Sequence, residues 1–378
     1  MLIGIDGNEA NGKNRVGIGQ FAFNVIKELE EIERENPQNS YIVYLKEAPQ
    51  PDLPQERKGW KYRIFGPGKA WTQFALPLKL FTQKEKLDVF YSPSHYAPRF
   101  SPFPTVISIM DLGHHRNPDQ FAKKDLYQLI QWEKYSVRNS SRIVTISEFS
   151  KSEIIKIYKY PAEKITVASP GYDKFEIRNG KSESISKIKA KYKIQSKYFL
   201  YLGTLKPNKN IEGLIEAFNI LTKTYYQKPV TLVVAGKKGW LYETIFEKVQ
   251  RLSLEDKVIF TGFFDEEEKP NLMAGAEAFV LPSFYEGFGI PILEAMSLGV
   301  PVITSSVASM PEVGGKAAIY CDPNSPEDIA KAMLQVLSLN KSQRDEIIAK
   351  GKGQTALFSW KKCAQQVLTT LEETSKKD

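Results

Sequence analysis

The sequence predicts an α/β protein built from two doubly wound parallel-sheet domains. Short runs rich in β-branched residues alternate with amphipathic helical patterns along the chain, which is typical of parallel sheets. Several of these runs are continuously apolar, as expected of strands that are covered on both faces. At 378 residues, the chain is also longer than one ordinary domain and suits two.

The predicted elements follow one another in a regular order. Strand patterns in the first half occupy 2–8, 41–45, 61–65, 89–92, 105–112, 142–147 and 165–168. Those in the second half occupy 199–204, 231–236, 258–262, 278–282, 300–304 and 317–321, and helical patterns such as 211–223 and 328–337 lie between strands. A segment rich in Lys, Ser and Gly predicts a linker over 173–196 that leads into a short helix, between domains spanning 1–172 and 197–358. Ligands of such sheets bind beyond the carboxyl ends of the strands, so a cleft between two facing domains is where we expect the chemistry.

Composition and charge exclude several classes of protein. With 42% hydrophobic and 25% charged residues, the chain is neither fibrous nor disordered. The net charge of +8 is spread over both halves, basic residues are interspersed with acidic ones, and no nucleic-acid module is present, so we predict no nucleic-acid partner. Cys321 and Cys363 lack metal-ligand or redox spacing, which predicts two free thiols in a reducing compartment.

The apolar stretches are too short for membrane spans, and the N-terminus turns polar at Asp6, so we predict a cytoplasmic protein. The segment 69–86 mixes aromatic and aliphatic residues with lysines. Core packing is the favoured interpretation, and peripheral contact with the inner membrane face is the alternative.

The strongest motif follows the strand pattern 278–282. It contains Glu286, a glycine-rich turn, and Glu294, which lies within a helix that Pro291 should begin and Gly299 should end. Glycines let backbone amides approach a ligand, and the positive end of a helix favours phosphate. Two carboxylates could then hold sugar and ribose hydroxyls. The alternative is a strand–turn–helix joint with two solvated glutamates.

Two weaker motifs accompany it. Lys209 precedes a helix for which Asn210 is the predicted N-cap, so its charge adds to a helix dipole suited to a diphosphate, although a solvated loop lysine is an alternative. Gly17 and Gly19 open a helix after the first strand but lack the third glycine of a dinucleotide-binding loop.

Together these motifs resemble the family-4 retaining glycosyltransferases of the GT-B fold, over nearly the whole chain. The matching segments are Gly17-Ile18-Gly19, Thr145-Ile146-Ser147-Glu148-Phe149-Ser150, Gly203-Thr204-Leu205-Lys206-Pro207-Asn208-Lys209-Asn210, Ala235-Gly236-Lys237-Lys238-Gly239-Trp240, the pair Glu286 and Glu294, and Ser309-Met310-Pro311-Glu312-Val313. Within the family, the sequence looks most like bacterial mannosyltransferases of polysaccharide biosynthesis. The tail from Phe358, with a helix at about 360–374, resembles the family's closing helix, which crosses back onto the first domain.

The resemblance implies a role for each matching residue. The catalytic set is Glu286 on the donor sugar, Lys209 on the leaving diphosphate and Asp111 on the acceptor side. The donor-binding set is Gly17, Gly19, Thr204, Gly236, Lys237, Gly287, Phe288, Gly289, Ile290 and Glu294. The implied partners are a GDP- or UDP-linked sugar and a glycan or lipid-linked acceptor, with no cofactor and no metal ion.

Three positions depart from the family pattern, and Asn208, which replaces an often-basic residue, is one of them. Thr204 stands where many relatives have arginine, and Met110 stands where a histidine commonly precedes Asp111. His114 or His115 is a substitute on the acceptor side; because adjacent histidines usually point in different directions, we expect no shared metal ion.

Other functions stay open. Another GT-B sugar-nucleotide enzyme, such as an epimerase, is one alternative, and a sugar-nucleotide-binding subunit without turnover is another.

Overall fold

The computed structural model describes residues 1–118, 123–175, 181–225, 228–237, 239, 242–262 and 264–376. The chain divides into two compact units. Unit 1 comprises Met1–Gly171 and Phe358–Asp378, and unit 2 comprises Tyr172–Leu357. The predicted linker over 173–196 falls in unit 2, where residues 176–180 lie outside the described part and helix α6 (Lys181–Lys191) occupies much of the remainder.

Unit 1 contains a parallel sheet of seven strands among its described residues, in the order β3-β2-β1-β4-β5-β6-β7. The strands are β1 (Leu2–Asp6), β2 (Ser40–Leu45), β3 (Trp60–Ile64), β4 (Val89–Ser92), β5 (Thr105–Ile109), β6 (Arg142–Thr145) and β7 (Ile165–Val167). The helices are α1 (Ile18–Glu35), α2 (Ala75–Thr82), α3 (Gly113–Arg116), α4 (Lys123–Asn139) and α5 (Glu148–Tyr158). The central strands β4 and β5 are buried along their whole length because helices cover both faces.

Unit 2 contains a parallel sheet whose described strands follow the order β10-β9-β8-β11-β12-β13. They are β8 (Lys197–Leu202), β9 (Val230–Ala235), β10 (Val258–Gly262), β11 (Ala278–Leu281), β12 (Val302–Ser305) and β13 (Ala318–Cys321). Its helices after α6 are α7 (Ile211–Ile220), α8 (Glu243–Arg251), α9 (Lys269–Ala274), α10 (Ile290–Ser297), α11 (Met310–Gly314), α12 (Pro326–Ser338) and α13 (Lys341–Thr355).

The predicted fold class, two doubly wound parallel sheets, is confirmed. Every predicted strand is present, with ends that differ by a few residues where a side chain or a glycine ends the extended run. Strand β1 stops at Asp6, whose carboxylate accepts hydrogen bonds from the backbone N and the Nδ2 of Asn8 at 3.1 and 2.7 Å. Burial raises the pKa of Asp6 to about 6.

The last helix, α14 (Trp360–Ser375), belongs to unit 1 although it is distant in sequence from that unit's other elements. Its hydroxyl cap Ser359 accepts from the backbone N of Lys362, and its buried face includes Cys363, Val367 and Leu371. It packs along α1 and over the strands β4 to β7, so it completes the apolar cover on one face of the sheet.

Both cysteines are free and buried, as predicted. In the described part of the chain, every helix is too short or too polar to reach across a bilayer.

Candidate active site

The sheet of unit 2 reverses its strand order between β8 and β11. The chain leaves β8 toward β9 on one side and leaves β11 toward β12 on the other, so the loops after these two neighbours diverge and leave a crevice at their carboxyl ends. The loop after β8 carries Lys209, and the loop after β11 carries Glu286. The fold therefore brings together two motifs that are far apart in sequence.

Lys209 and Glu286 form an ion pair across this switch point. Lys209 ends a single 3₁₀ turn that begins at Pro207, and its Nζ lies 2.5 Å from Glu286 Oε1. Ser283 Oγ donates to the same carboxylate oxygen at 2.8 Å. The side chains of Lys209 and Glu286 are 21% and 12% exposed, so the pair is shielded but reachable from solvent. A cation and a carboxylate are thus held together at the position where the sequence predicted diphosphate and sugar contacts.

Backbone and side-chain hydrogen bonds join the two loops to each other. Phe284 N donates to Asn208 O at 2.9 Å, and Asn208 Nδ2 donates to Tyr285 O at 3.3 Å. From the loop after β12, the buried hydroxyl of Ser309 lies 2.8 Å from Glu286 O and 3.1 Å from Phe288 O. Ser309 belongs to one of the family motifs, but the sequence did not predict that it would hold the Glu286 loop. These contacts fix the position of the Glu286 backbone.

The predicted capping role of Asn210 is wrong. Asn210 occupies the N-cap position of α7 but has a left-handed backbone, with φ of 56°, and its side chain makes no capping hydrogen bond in the described structure. Its Nδ2 donates instead to Pro282 O at 3.0 Å and Pro323 O at 2.6 Å. The left-handed conformation turns the amide toward these two buried carbonyls, so Asn210 joins the loops rather than capping the helix.

Glu294 lies inside α10, whose ends match the prediction. Gly289 precedes the helix with φ of 100°, Pro291 lies in its first turn, and Gly299 follows it with φ of 74°. Glu294 is 2% exposed, and its Oε1 accepts from Lys269 Nζ at 2.6 Å. Burial raises the pKa of Glu294, and the charge of Lys269 opposes that shift.

Oε2 of Glu294 has no hydrogen-bond partner among the described residues. This oxygen is buried, and an unsatisfied buried acceptor calls for a partner, such as a ligand hydroxyl. Lys269, which stabilises this carboxylate, has no signal in the sequence beyond its following an acidic run.

The loop after β9 packs against the loop after β8. Gly236 has φ of 145°, and a Cβ at this position would lie 2.0 Å from Gly203 O. Leu205 N donates to Lys237 O at 3.0 Å, while the backbone of Thr204 accepts from Tyr201 Oη at 3.2 Å. The predicted nucleotide-side segment 236–240 is described only in part, since Lys238 and Trp240 lie outside the described residues. The nucleotide roles of Thr204, Gly236 and Lys237 stay predictions.

In unit 1, the switch point lies between β1 and β4. Gly17, with φ of 53°, precedes α1, and a Cβ on the buried Gly19 would lie 3.1 Å from Glu9 O. After β5, Asp111 Oδ1 accepts from Gly113 N at 2.8 Å, which starts the short helix α3. The donor role of the two glycines and the acceptor role of Asp111 stay predictions.

The expectation that His114 and His115 point apart is wrong. Their ring centroids are 4.4 Å apart, and both Nε2 atoms approach the buried carboxylate of Glu133 on α4, at 3.0 and 4.0 Å. Consecutive residues of a helix project their side chains about 100° apart. The Glu133 carboxylate lies between the side chains of His114 and His115 and therefore meets both rings. Burial raises the pKa of Glu133, but hydrogen bonds from His114 and His95 lower it to about 2. Glu133 and His95 carry no motif, so sequence reasoning missed them.

A two-domain Rossmann-like fold with a lysine and two glutamates at the switch point of unit 2 is the architecture of a sugar-nucleotide glycosyltransferase, and the comparisons agree. The family model described as "Glycosyltransferase Family 4" matches residues 17–174, and that described as "Glycosyl transferases group 1" matches residues 184–354. O-antigen chain mannosyltransferase B of Escherichia coli is 34% identical over 281 residues, covering 74% of this chain and 73% of that protein. The chain therefore belongs to the family of group 1 and family-4 glycosyltransferases.

Solved structures agree on the fold. Sucrose-phosphate synthase from Thermosynechococcus elongatus superposes with a TM-score of 0.74 at 17% identity and 98% coverage of both chains. HepE of Anabaena, solved in complex with UDP and glucose, superposes with a TM-score of 0.72 at 20% identity, covering 98% of this chain and 99% of that one. The predicted GT-B fold is thereby confirmed.

Proposed function

We propose that the protein transfers a hexosyl group, with mannose as the first candidate, from a nucleoside-diphosphate sugar to a hydroxyl of a glycan or lipid-linked acceptor. The observation that carries the proposal is the Lys209–Glu286 pair at the switch point of unit 2. Mannose is favoured because the E. coli relative is an O-antigen chain mannosyltransferase. The same relative favours a role in bacterial polysaccharide synthesis.

Lys209 and α10 would stabilise the leaving group. Attack of the acceptor oxygen on the anomeric carbon breaks the bond to the diphosphate, and the negative charge on that diphosphate increases. Lys209 supplies a compact cation, and the amides at the start of α10 supply the positive end of a helix dipole. Because these groups meet the charge without a divalent ion, we propose metal-independent transfer. Retention of configuration is proposed from the family resemblance.

The two glutamates would hold the two ends of the donor. Glu286 pairs with Lys209 before the donor arrives, and afterwards its carboxylate can accept hydroxyl donors from the sugar. Glu294 keeps Oε1 on Lys269, while Oε2 can accept a ribose hydroxyl. Burial strengthens such a hydrogen bond because no water competes for the carboxylate.

Release of nucleoside diphosphate tests this function. The protein is incubated with a panel of GDP-, UDP- and ADP-linked sugars, with and without glycan acceptors, and the released diphosphate is measured. Thermal-shift measurements with GDP, UDP and ADP identify the donor nucleotide. We expect release from one donor class that Glu286→Ala abolishes and that EDTA leaves unchanged.

The matched control is Lys248→Ala, which removes an ion pair with Glu216 on the helical surface of the same unit and should keep full activity. Nucleotide-sugar binding without release would support the non-catalytic binding subunit and contradict the proposal. NMR of the first-formed product reports its anomeric configuration, and inversion would refute retention.

We further propose that α2 attaches the protein to an anionic membrane surface. The segment 69–86 was predicted to pack in the core, but only some of its apolar side chains are buried and the others are exposed. Its buried face includes Trp71, Leu76 and Leu80, while Phe74, Leu78 and Phe81 are 73%, 65% and 58% exposed. The exposed residues Lys69, Lys84 and Lys86 flank this apolar face. Apolar side chains beside lysines suit the headgroup region of anionic lipids.

Vesicle sedimentation tests this attachment. We expect the protein to pellet with anionic vesicles and to stay in the supernatant with zwitterionic vesicles. Leu78→Ser should reduce pelleting, whereas Gln366→Ala, on the exposed face of α14, should not. Equal pelleting with both vesicle types would refute electrostatic attachment.

A further inference from the structure

All three histidines of the chain lie around one buried carboxylate in unit 1. Glu133, fully buried on α4, has its Oε2 3.0 Å from His114 Nε2 and 3.3 Å from His95 Nδ1. Its Oε1 is 4.0 Å from His115 Nε2 and accepts a hydrogen bond from Tyr158 Oη at 2.8 Å. These residues come from the loop after β4 and from α3, α4 and α5, so the cluster joins four segments.

We propose that His114, His115 and Glu133 bind one divalent transition-metal ion of the Zn²⁺ class. One ligand atom from each of the three residues lies within 4.8 Å of the other two. Ligands at the usual distance from tetrahedral zinc lie about 3.4 Å apart, so shifts of roughly an ångström would complete the coordination. Water would take the fourth position.

The donor set selects the class of ion. Two imidazole nitrogens and one carboxylate oxygen suit zinc or a similar transition metal, whereas Ca²⁺ and Mg²⁺ prefer oxygen ligands alone. His114 is 5% exposed and the side chain of His115 is 19% exposed, so the ion would be largely shielded from water. The negative charge of Glu133 would offset half of the ion's charge.

Tyr158 would position two of the ligands. Its hydroxyl donates to Glu133 Oε1 and lies 2.9 Å from His115 Nε2. Contacts of this kind orient a metal ligand when they involve its non-coordinating atom, which requires Oε2 of Glu133 and Nδ1 of His115 to face the ion. The alternative is a metal-free network in which the histidines act as ion-pair partners of Glu133.

Metal titration of the full chain tests the proposal. After dialysis against EDTA, Zn²⁺ is titrated by calorimetry and Co²⁺ by visible absorption. We expect one equivalent of Zn²⁺ to bind and Co²⁺ to give the intense bands of a four-coordinate site. Glu133→Gln and His114→Ala should weaken binding at least 100-fold, and Tyr158→Phe should weaken it 10- to 100-fold.

Glu33→Gln is the matched control. Glu33 is an equally buried carboxylate of unit 1 that accepts from the backbone N of Gln38 and Asn39. The Glu33→Gln variant should bind the metal ion as the unmodified chain does. If Glu133→Gln or His114→Ala fails to fold, the more exposed His115→Ala replaces it. Absence of stoichiometric binding, or binding that the ligand variants leave unchanged, would overturn the proposal and leave the metal-free network. These readouts do not use transferase activity, so the result is independent of the proposed donor chemistry.

Discussion

Lys209 and Glu286 are the two residues whose contact defines the candidate active site. The sequence places them in different loops, and the structure places Nζ and Oε1 in direct contact. A shielded ion pair of this kind holds the two side chains together until a ligand arrives. The donor would replace one salt bridge with two new contacts, phosphate on lysine and hydroxyl on carboxylate.

Removing the lysine should affect the chemical step more than donor binding. We expect Lys209→Ala to lower kcat about 10²- to 10³-fold, because the stabilised charge develops on the departing diphosphate. Steady-state kinetics with a saturating donor measure the change. Lys248→Ala is again the control, and an effect on KM alone would place Lys209 outside the leaving-group site.

Asp6 predicts a pH dependence of stability. Its pKa in the folded protein is about 6, above the ordinary value of 3.8, because burial disfavours the charged form. The folded state therefore binds the proton more tightly, and this contribution to stability is complete below pH 3.8 and lost as the pH rises through about 6. The two values imply a change of about 3 kcal/mol in the free energy of unfolding.

Asp6→Asn should remove this component, because the amide stays neutral and can still accept from Asn8. Urea unfolding at intervals between pH 4 and pH 7 measures the difference between variant and parent. The exposed Asp125 of the same unit supplies the control Asp125→Asn. If the free energies of unfolding of the parent and of Asp6→Asn changed with pH in the same way over this range, the shifted pKa of Asp6 would be contradicted.

At the scale of elements, α14 stabilises a unit whose other elements lie far away in sequence. Leu371 is fully buried on its inner face, and Cys363 Sγ donates to Ala168 O at 3.3 Å. We expect Leu371→Ala to lower the free energy of unfolding by about 2–5 kcal/mol through a cavity and lost apolar burial.

Chemical denaturation of the full chain measures this change in the free energy of unfolding. The control is Gln365→Ala, which alters the exposed face of the same helix and should be nearly neutral. Equal stability of the two variants would show that α14 does not support the sheet.

At the scale of the whole molecule, the two units have separate sheets and separate cores, and the chain passes between them near Gly171 and near Phe358. Calorimetry should resolve two unfolding transitions if each unit folds cooperatively by itself. Leu371→Ala should lower the transition of unit 1. Leu200→Ala, at a fully buried position of β8, should lower that of unit 2. A shift of both transitions by either variant would instead indicate a single cooperative unit.

Much of this organisation is local in sequence and was therefore predictable. A strand buried on both faces must be apolar, so each strand can be recognised in the sequence as an apolar run. The alternation of strands and helices then restricts the fold to doubly wound sheets. The helix around Glu294 was also visible, because Pro291 and Gly299 mark its ends through their own backbone preferences. The family motifs added expected roles for Lys209 and Glu286.

Tertiary structure decided which of these groups meet. The order of strands in space differs from their order in sequence, so only the folded sheet places the loops after β8 and β11 together. Lys269 beside Glu294 and the three histidines around Glu133 depend on contacts between distant elements, which leave no periodic signal in the chain. Local patterns reveal elements because each residue's backbone preference and burial act at its own position. A site forms from side chains whose separation is set by packing, and that separation exists only after folding.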